Sequence, residues 1–368
     1  MIDLFTLDPV SLTAALVDVP SVSHEERPLA DMLERALRLI PGVEVLRHEN
    51  SLVARTQRGL PQRVVLAGHI DTVPIAENVP CVRGVNDQGE DTLFGCGTVD
   101  MKSGLAVYLA VFARLANDPA LAYDLTLVCY EGEEVAARFN GLGLIHGAHP
   151  DWLVGDVALL GEPSGAIIEA GCQGSIRLRV TAHGVRAHSA RSWLGKNAMH
   201  ALAPVISSIA AYEAQEVFVD DCRYHEGLNI VHCESGVATN TIPDEAWLFV
   251  NFRFAPNRTQ EEALAHMLAV LDLPEGVEYE IDDIVPGARP GLDLPVVRRL
   301  VAATGGQARA KYGWTDVARF SELGIPAVNF GPGDPAYCHK KDEQCPTWMI
   351  TSVFDTLMTY LQAGETNE

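Results

Sequence analysis

Short apolar segments alternate with helix-like patterns through the first 160 residues and again near the end of the chain. The helix-like patterns predict one helix from Met101 to about Ala116 and another from Met349 to Leu361. An earlier helix, with Ser23 as its expected N-cap, has apolar residues at helical spacing: Leu29, Met32, Leu33, Leu37 and Ile40. Continuous apolar runs predict buried strands at 63–67, 125–130, 156–160 and 327–330. This alternation favours an α/β domain with a mixed, largely parallel sheet flanked by helices.

The middle of the chain has a different pattern. Residues 175–181 and 247–253 alternate apolar and polar side chains, which is the two-residue period of a half-exposed antiparallel strand. Helical patterns fall between these segments, at 197–214, and after them, at 260–271. We therefore expect an inserted α+β domain. The expected bounds are 1–174 for the first part of the α/β domain, 175–288 for the insert and 289–368 for the second part of the α/β domain.

The charge balance limits the classes of partner. The 368 residues include 27 Lys and Arg against 49 Asp and Glu, which gives a formal net charge of −22 at pH 7. A charge this negative disfavours nucleic acid and anionic membrane surfaces as partners. The global field would also repel an anionic substrate, so such a substrate would require arginines placed at its binding site.

The chain lacks the usual signals for a membrane or a secretory pathway. No apolar run approaches the ~20 residues of a membrane span. The first twenty residues carry Asp3 and Asp8 and no basic segment, which disfavours a secretory signal. Eight cysteines are scattered without a C-x-x-C pair, as is typical of reduced thiols. We therefore expect a cytoplasmic protein with no membrane association.

Five short polar motifs follow the predicted strands or lie in loops: Gly68–Asp71, Gly97–Lys102, Glu131–Glu134, Gly161–Ser164 and His339–Glu343. In open α/β sheets the ligand site lies beyond the carboxyl ends of the strands, so these motifs are expected to converge. Two histidines with several carboxylates are the ligand set of a paired zinc site, in which one carboxylate bridges two ions. Taken singly, each motif is weak, because a lone His is more often a hydrogen-bonded structural residue and a Glu pair is more often solvated. The alternative is a plain α/β protein in which all five motifs are only solvated loops. That interpretation would require five coincidences.

The motif order, their spacing and the insert resemble the di-zinc aminoacyl hydrolases, the family of acetylornithine deacetylase, aminoacylase and the glutamate carboxypeptidases. The resemblance spans nearly the whole chain. It implies a zinc-peptidase-like catalytic domain and two Zn²⁺ ions per subunit, for which Co²⁺ can substitute. It also implies that the insert forms a homodimer. The segment 181–193 is most similar to the branch that cleaves N-succinyl-LL-2,6-diaminopimelate, a small anionic substrate of lysine and diaminopimelate synthesis.

The resemblance implies a role for each motif. His69, Asp100 and Glu162 would hold one zinc ion, and Asp100, Glu134 and His339 would hold the other, with Asp100 as the bridge. Asp71 would fix the tautomer of the His69 imidazole. The alternative interpretation of Asp71 is a turn residue without a role at the metal site. Glu133 would be the general base of amide hydrolysis. The family often has Asp before the Glu pair, whereas this chain has Gly132, and Glu131 is interpreted as solvated or structural.

The insert and the last part of the chain supply the remaining candidates. His188 resembles a family histidine that reaches the reaction site from the partner subunit; the alternative is a residue that caps a loop. Trp193 is expected to pack within the insert rather than to contact substrate. Taken alone, an arginine is more often solvated at the protein surface than bound to a substrate. The substrate-binding candidates are Arg191, Asn240, Arg253 and Arg319.

Two alternatives remain open at this point. An acetylornithine deacetylase or another N-acyl-amino-acid hydrolase would use the same chemistry on a substrate with fewer carboxylates. The segment from Gly313 to Arg319 departs from the desuccinylase pattern at Trp314 and Val317, so it does not separate these substrates. A binding protein that keeps the fold without the reaction is disfavoured, because every expected ligand position and the base position are filled.

Overall fold

The computed structural model describes residues 2–362 and separates into two compact units. The first unit contains the described residues up to Ala170, then Gly291–Arg309, and those from Thr315 onward. The second unit contains Gly171–Pro290 and the short segment Ala310–Trp314. The insert expected at 175–288 falls inside the second unit, and its role in dimer formation stays a prediction.

The helices of the described chain are α1 (Pro9–Val17), α2 (Arg27–Leu37), α3 (Lys102–Leu115), α4 (Gly141–Ala148), α5 (Ala198–Ala201), α6 (Ala203–Ala210), α7 (Gln260–Leu271), α8 (Pro295–Ala303), α9 (Val317–Glu322) and α10 (Thr347–Leu361). Short 3₁₀ segments occur at Ala137–Phe139, Pro150–Leu153, Ser189–Leu194 and Pro335–Tyr337.

The strands of the described chain are β1 (Glu44–His48), β2 (Ser51–Arg55), β3 (Arg63–His69), β4 (Val82–Val85), β5 (Asp91–Phe94), β6 (Asp124–Tyr130), β7 (Val157–Pro163), β8 (Ile168–Ala170), β9 (Gly174–His183), β10 (Ala187–His188), β11 (Glu216–Val219), β12 (Cys222–His225), β13 (Gly227–Ser235), β14 (Thr241–Ile242), β15 (Glu245–Phe254), β16 (Val277–Val285), β17 (Ala308–Ala310), β18 (Ala327–Gly331) and β19 (Gln344–Pro346).

The first unit is built on an eight-stranded mixed sheet with the order β1-β2-β6-β3-β7-β18-β8-β17. The central strands β6, β3, β7 and β18 are parallel, and β1, β2 and β8 pair with their neighbours in the antiparallel sense. The four central strands are almost entirely buried, as the continuous apolar runs predict. The expectation of a mixed, largely parallel sheet with flanking helices is confirmed.

Helix α3 packs closely on the centre of this sheet. Nearly all of its side chains are buried. A Cβ added at Gly104 would overlap the carbonyl oxygen of Gly161 in β7, so this close approach of helix to strand requires glycine. The helix therefore starts at a fixed point beside the strand ends, directly after the segment that carries Asp100.

The second unit has a four-stranded antiparallel sheet with the order β13-β15-β9-β16. Strands β9 and β15 alternate buried and more exposed residues, so the predicted half-exposed pattern is confirmed. The buried residues of both strands form one apolar core with buried residues of α5, α6 and α7. The opposite face of the sheet carries polar and aromatic side chains.

Three local expectations are wrong. Helix α2 begins at Arg27 after Glu26, and Ser23 does not cap it. Ser23 instead donates a hydrogen bond to Asp71. The helix expected at 197–214 is two helices, α5 and α6, because Pro204 in the first turn of α6 has no N–H to continue the ladder. Trp193 is 76% exposed and does not pack within its unit.

Within the described range, no helix is both long and apolar enough to cross a membrane.

Candidate metal centre

The parallel register of the first unit brings the predicted strand-end motifs to one edge of the sheet. His69 is the last residue of β3 and lies opposite Tyr130, the last residue of β6. Glu133 and Glu134 lie in the turn that follows β6, and the strand β7 on the other side of β3 contains Glu162 near its carboxyl end. Three carboxylates and one imidazole therefore come from the carboxyl ends of adjacent parallel strands or from the turn that follows one of them.

Asp100 reaches the same place from the loop before α3. A buried carboxylate holds this loop: Glu343 accepts hydrogen bonds from the backbone N–H groups of Gly97, Val99 and Asp100 at 3.0, 2.8 and 3.0 Å. Glu343 is 2% exposed and lies four residues after His339. One side chain thus ties the loop that carries Asp100 to the loop that carries His339.

Lys102, at the end of the same motif, points away from the carboxylates. Its ammonium group donates hydrogen bonds to the carbonyl oxygens of Leu16 and Val19 at 3.2 and 2.8 Å. The side chain is almost completely buried, and this burial lowers the pKa of Lys102 to about 8. The residue therefore anchors the start of α3 to the end of α1.

Among the described residues, three groups of side chains place one ligand atom each within 4.8 Å of one another. The groups are His69–Asp100–Glu162, His69–Glu133–Glu134 and Asp100–Glu134–His339. The structure therefore brings together all five residues for which metal binding is expected, and Asp100 belongs to both of the expected ligand sets. Imidazole nitrogen and carboxylate oxygen are ligands that zinc and related divalent ions accept, so the side chains fit a metal centre.

The two histidines face the same carboxylate. His69 Nε2 lies 3.1 Å from Asp100 Oδ1, and His339 Nε2 lies 3.4 Å from Asp100 Oδ2. His339 Nε2 also lies 3.0 Å from Glu134 Oε2. His69 is fully buried, whereas the His339 side chain is 53% exposed. One carboxylate between two imidazoles is the arrangement expected of a bridging ligand.

Asp71 orients both the imidazole and the Glu pair. His69 Nδ1 lies 3.0 Å from the Asp71 carbonyl oxygen and 3.4 Å from Asp71 Oδ1, which leaves Nε2 free to face Asp100. The Asp71 carboxylate also accepts the backbone N–H groups of Glu133 and Glu134, both at 3.1 Å, and the Ser23 hydroxyl at 2.8 Å. Burial opposes the ionisation of Asp71, but the hydrogen bond and the charge of His69 outweigh it, so its pKa is lowered.

The charges of the cluster are strongly coupled. Burial opposes the ionisation of Asp100, but hydrogen bonds with His339 and His69 outweigh it and lower the pKa of Asp100. The hydrogen bond with Asp100 raises the pKa of His339 to about 9. Burial, followed by the charge of Asp100, raises the pKa of Glu134 to about 7. Without metal, protons therefore neutralise part of the cluster, and a bound cation would displace them.

Glu133 is placed differently from its neighbour. Its side chain is half-buried, and burial raises the pKa of Glu133 well above its usual value, with Glu162 and Asp316 adding to the effect against the opposing charge of His69. A carboxylate with a raised pKa beside a metal centre suits proton transfer near neutral pH. The pair therefore offers one carboxylate for the metal and one for acid–base chemistry.

Glu131 and Gly132, which precede the two metal-centre glutamates, have structural roles. Glu131 is 8% exposed and accepts hydrogen bonds from the backbone and side-chain nitrogens of Asn50, both at 2.8 Å. Gly132 has a φ of +67°, and a Cβ there would clash with the carbonyl oxygen of Phe139. The turn that presents Glu133 and Glu134 therefore requires glycine.

Arg319 is the one substrate-binding candidate in the first unit. Its Nε donates a hydrogen bond to Asp316 Oδ1 at 2.6 Å, and its side chain is 22% exposed. Asp316 is fully buried and also accepts the Asn140 side-chain amide at 2.9 Å. The guanidinium is therefore held in a fixed orientation.

Three candidates lie together in the second unit. The short strand β10 pairs with β14, so that His188 lies opposite Thr241. The backbone N–H of Ser189 donates to the carbonyl oxygen of Asn240 at 2.8 Å, and Arg191 follows in the 3₁₀ segment. His188 is exposed, and its Nδ1 accepts the Ala190 N–H at 3.1 Å. The structure therefore groups His188, Arg191 and Asn240.

Arg253 lies apart from this group, near the end of β15. It pairs with Ser175 of β9 and with Gly227 of β13. Desolvation lowers its pKa, and Asp283 opposes this effect. Arg253 is nevertheless exposed, whereas its neighbours Phe252 and Phe254 are buried, so it lies on the polar face of the sheet.

Two positioning residues were missed by reasoning from the sequence. Ser23 was interpreted as a helix cap, although its hydroxyl contacts Asp71. Glu343 belongs to a motif that the sequence singles out, but its partners are backbone N–H groups nearly 250 residues away. No residue pattern identifies backbone partners at such a distance; the only signal was a carboxylate close to the expected ligand His339.

Similarity to known proteins agrees with this geometry. Residues 65–363 match the family Peptidase family M20/M25/M40. The chain is 59% identical over 360 residues to succinyl-diaminopimelate desuccinylase of Corynebacterium glutamicum, with 96% of each chain covered. It is 51% identical over 357 residues to a putative succinyl-diaminopimelate desuccinylase of Mycobacterium tuberculosis, covering 96% of this chain and 98% of that one.

A solved structure extends the likeness to the fold. Aminopeptidase PepT from Bacillus cereus aligns with a TM-score of 0.75 at 19% identity, over 96% of this chain and 97% of that chain. At this identity the likeness shows a shared fold. Together with the match over 65–363, these relatives show that the chain belongs to peptidase family M20/M25/M40, a family of hydrolases.

Proposed function

We propose that the protein is a zinc-dependent amidohydrolase that cleaves N-succinyl-LL-2,6-diaminopimelate to succinate and LL-2,6-diaminopimelate. The observation that carries the reaction type is the set of linked His and carboxylate groups around Asp100, with Glu133 beside it. The substrate is supported by the names of the two relatives above, which match nearly the whole chain. The enzyme would act in the cytoplasm, in lysine and diaminopimelate synthesis.

The metal assignment follows the two groups that share Asp100. We assign His69, Asp100 and Glu162 to one zinc ion, and Asp100, Glu134 and His339 to the other. Cobalt is expected to replace zinc, since the ligands are imidazoles and carboxylates. Bound zinc would supply Lewis acidity for the amide carbonyl and would lower the pKa of the attacking water toward neutrality.

The side chains around the metal centre perform the proton transfers. Glu133 accepts the proton of the attacking water and delivers it to the amine nitrogen as the C–N bond breaks. Burial of its side chain, which raises the pKa of Glu133 in the cluster without metal, favours the protonated form between these two steps. Asp71 keeps the His69 imidazole and the backbone of Glu133 in fixed positions during the reaction.

Substrate recognition requires several cationic groups. N-succinyl-LL-diaminopimelate carries three carboxylates, and the guanidinium fork of arginine matches a carboxylate with two hydrogen bonds. We assign this role to Arg191, Arg253 and Arg319, and a contact beside the scissile amide to Asn240. These arginines would offset the repulsion of the strongly negative chain.

We further propose that the active form is a homodimer in which His188 of the partner subunit donates a hydrogen bond to the oxyanion. Large apolar side chains that stay exposed in a single chain support an interface in the second unit. Trp193 and Leu194, which follow His188 closely, are 76% and 61% exposed.

Steady-state kinetics of the zinc-loaded protein on N-succinyl-LL-diaminopimelate and N-acetylornithine test the proposed substrate. We expect kcat/KM to favour the succinyl compound by a hundredfold or more, which is about 2.7 kcal/mol of transition-state binding. Arg191→Ala and Arg253→Ala are expected to reduce this preference. Equal or reversed rates would keep the hydrolytic chemistry and reject the substrate, and no turnover of either compound would reject both.

A further inference from the structure

A recess lies on the exposed face of the sheet in the second unit. It has a volume of about 180 Å³. Its lining residues all come from β9, β15 and β16: Arg179, Thr181, His183, Glu245, Glu278, Tyr279 and Glu280. None of these residues has a role in the proposed reaction.

The strand register explains why polar groups meet here. Arg179 lies opposite Glu280, Thr181 lies opposite Glu278, and His183 lies opposite Glu245. The residues between them on β9, Val180 and Ala182, are fully buried in the apolar core. Because successive side chains of a strand point to opposite faces, the charged residues all face outward into one recess.

Arg179 packs on an aromatic ring, and one of its donor nitrogens is unpaired within the described residues. Its guanidinium lies over the ring of Trp247, 4.5 Å from the centroid. Its Nε is buried and has no hydrogen-bond partner within residues 2–362. Arg177, two residues earlier on the same face, forms an ion pair with Asp282 instead. Arg177 is therefore neutralised by a carboxylate of the same sheet, whereas Arg179 is not.

The carboxylates of the recess do not neutralise Arg179. In the described part of the chain, Glu245, Glu278 and Glu280 form no ion pair with it or with another cation. One guanidinium and three carboxylates thus share a small space without direct pairing. A ligand that offers one carboxylate and more than one cationic group would satisfy these charges together.

The volume sets the size of that ligand. At about 180 Å³, the recess is smaller than the roughly 300 Å³ at which pockets for drug-sized ligands begin, so it suits a ligand of a few heavy atoms. We propose that the recess binds a basic α-amino acid, with the carboxylate on Arg179 and the ammonium groups on the glutamates. The three carboxylates disfavour acidic amino acids, and Arg179 disfavours a diamine that lacks a carboxylate.

Isothermal titration calorimetry of the zinc-loaded full-length protein tests this assignment with L-lysine as the probe. Cadaverine, which has the same two amines and no carboxylate, and L-glutamate serve as comparison ligands. We expect one lysine site per chain with a Kd near or below about 1 mM, and binding of both comparison ligands weaker by roughly tenfold or more.

Two substitutions locate the site. Arg179→Gln is expected to weaken lysine binding by roughly tenfold or more, because it removes a charge-assisted contact. The matched control Arg177→Gln changes a paired arginine on the same strand and is expected to leave lysine binding unchanged. Turnover of both variants should equal that of the wild type, which also verifies that they fold.

The exposed double variant Glu278→Gln with Glu280→Gln provides a second route if Arg179→Gln fails to fold. It is expected to weaken lysine binding without improving cadaverine binding. Absence of lysine binding at millimolar concentrations, equal binding of cadaverine, or wild-type affinity in Arg179→Gln would each overturn the proposal. None of these outcomes depends on which acyl-amino acid the metal centre hydrolyses.

Discussion

The buried carboxylate of Glu343 gives the sharpest test of how the metal centre is positioned. Its Oε1 accepts the backbone N–H groups of Val99 and Asp100, and its Oε2 accepts that of Gly97. The side chain carries no assigned ligand or acid–base role. Replacing it with glutamine keeps the size and removes only the charge and one acceptor atom.

The expected loss of unfolding free energy follows from the number of acceptor oxygens that remain in the variant. Glutamine has one carbonyl oxygen, so Glu343→Gln leaves at least one of the three buried N–H groups facing an NH₂ group. Loss of one hydrogen bond to a charged group costs about 1.5–3 kcal/mol of unfolding free energy. For a unit of this size, each kcal/mol lowers Tm by about 2–4 °C, so we expect a decrease of about 3–12 °C. Because the loop also carries Asp100, we expect metal affinity to fall by about 10–100-fold.

Calorimetric melting and metal titration measure both effects. The matched control is Asp342→Asn, which removes one negative charge from the adjacent, exposed residue. That control should keep the wild-type Tm and the wild-type metal affinity, because the Asp342 carboxylate is exposed and has no buried partner among residues 2–362. If Glu343→Gln behaves like Asp342→Asn in both assays, the reasoning that Glu343 positions Asp100 is refuted.

Three further predictions concern the metal ligands, the dimer and the turn before the Glu pair. Metal affinity should increase as pH rises through about 7 and then about 9, because Glu134 and His339 must lose their protons to bind metal; cobalt titration at several pH values measures this. Mixed dimers of His188→Ala and Glu133→Ala chains should regain about one quarter of wild-type turnover, since half of randomly mixed dimers contain one intact site. Gly132→Ala should reduce the unfolding free energy by about 1–3 kcal/mol, measured by denaturant melting, because its φ is +67°.

Each of these predictions has a result that would contradict it. A metal affinity independent of pH would mean that protons do not compete for the ligands. If mixed dimers are no more active than the two single variants, His188 does not act across the interface. For the glycine, Gly147→Ala is the control, because a Cβ at this helical position meets nothing within 4 Å. Equal stability of the two alanine variants would remove the argument for a required glycine.

The main sheet and the metal ligands were predictable from local pattern. Continuous apolar runs at β3, β6 and β7 indicated buried parallel strands, and their polar ends had to meet at one edge. That rule was enough to predict that His69, Glu134 and Glu162 would converge. The agreement depends on one simple geometric property, which is that parallel strands end on the same side of a sheet.

Features that depend on backbone partners, on a single proline or on the exposure of one side chain were not predictable in this way. Ser23 was assigned to a helix cap, since sequence spacing cannot show that its hydroxyl contacts Asp71. Pro204 divides an apolar helical pattern that reads as continuous. The exposed Trp193 has the same sequence pattern as a packed tryptophan, because periodicity does not reveal whether another part of the chain covers the side chain.

Anomalous diffraction at the zinc edge, from crystals of the zinc-loaded protein, tests the central proposal most directly. We expect two peaks per chain, about 3.5–4 Å apart, with the Asp100 carboxylate between them. His69 and Glu162 should contact one ion, and Glu134 and His339 the other. A single peak at this cluster, or two ions that do not share Asp100, would contradict the proposed paired metal centre.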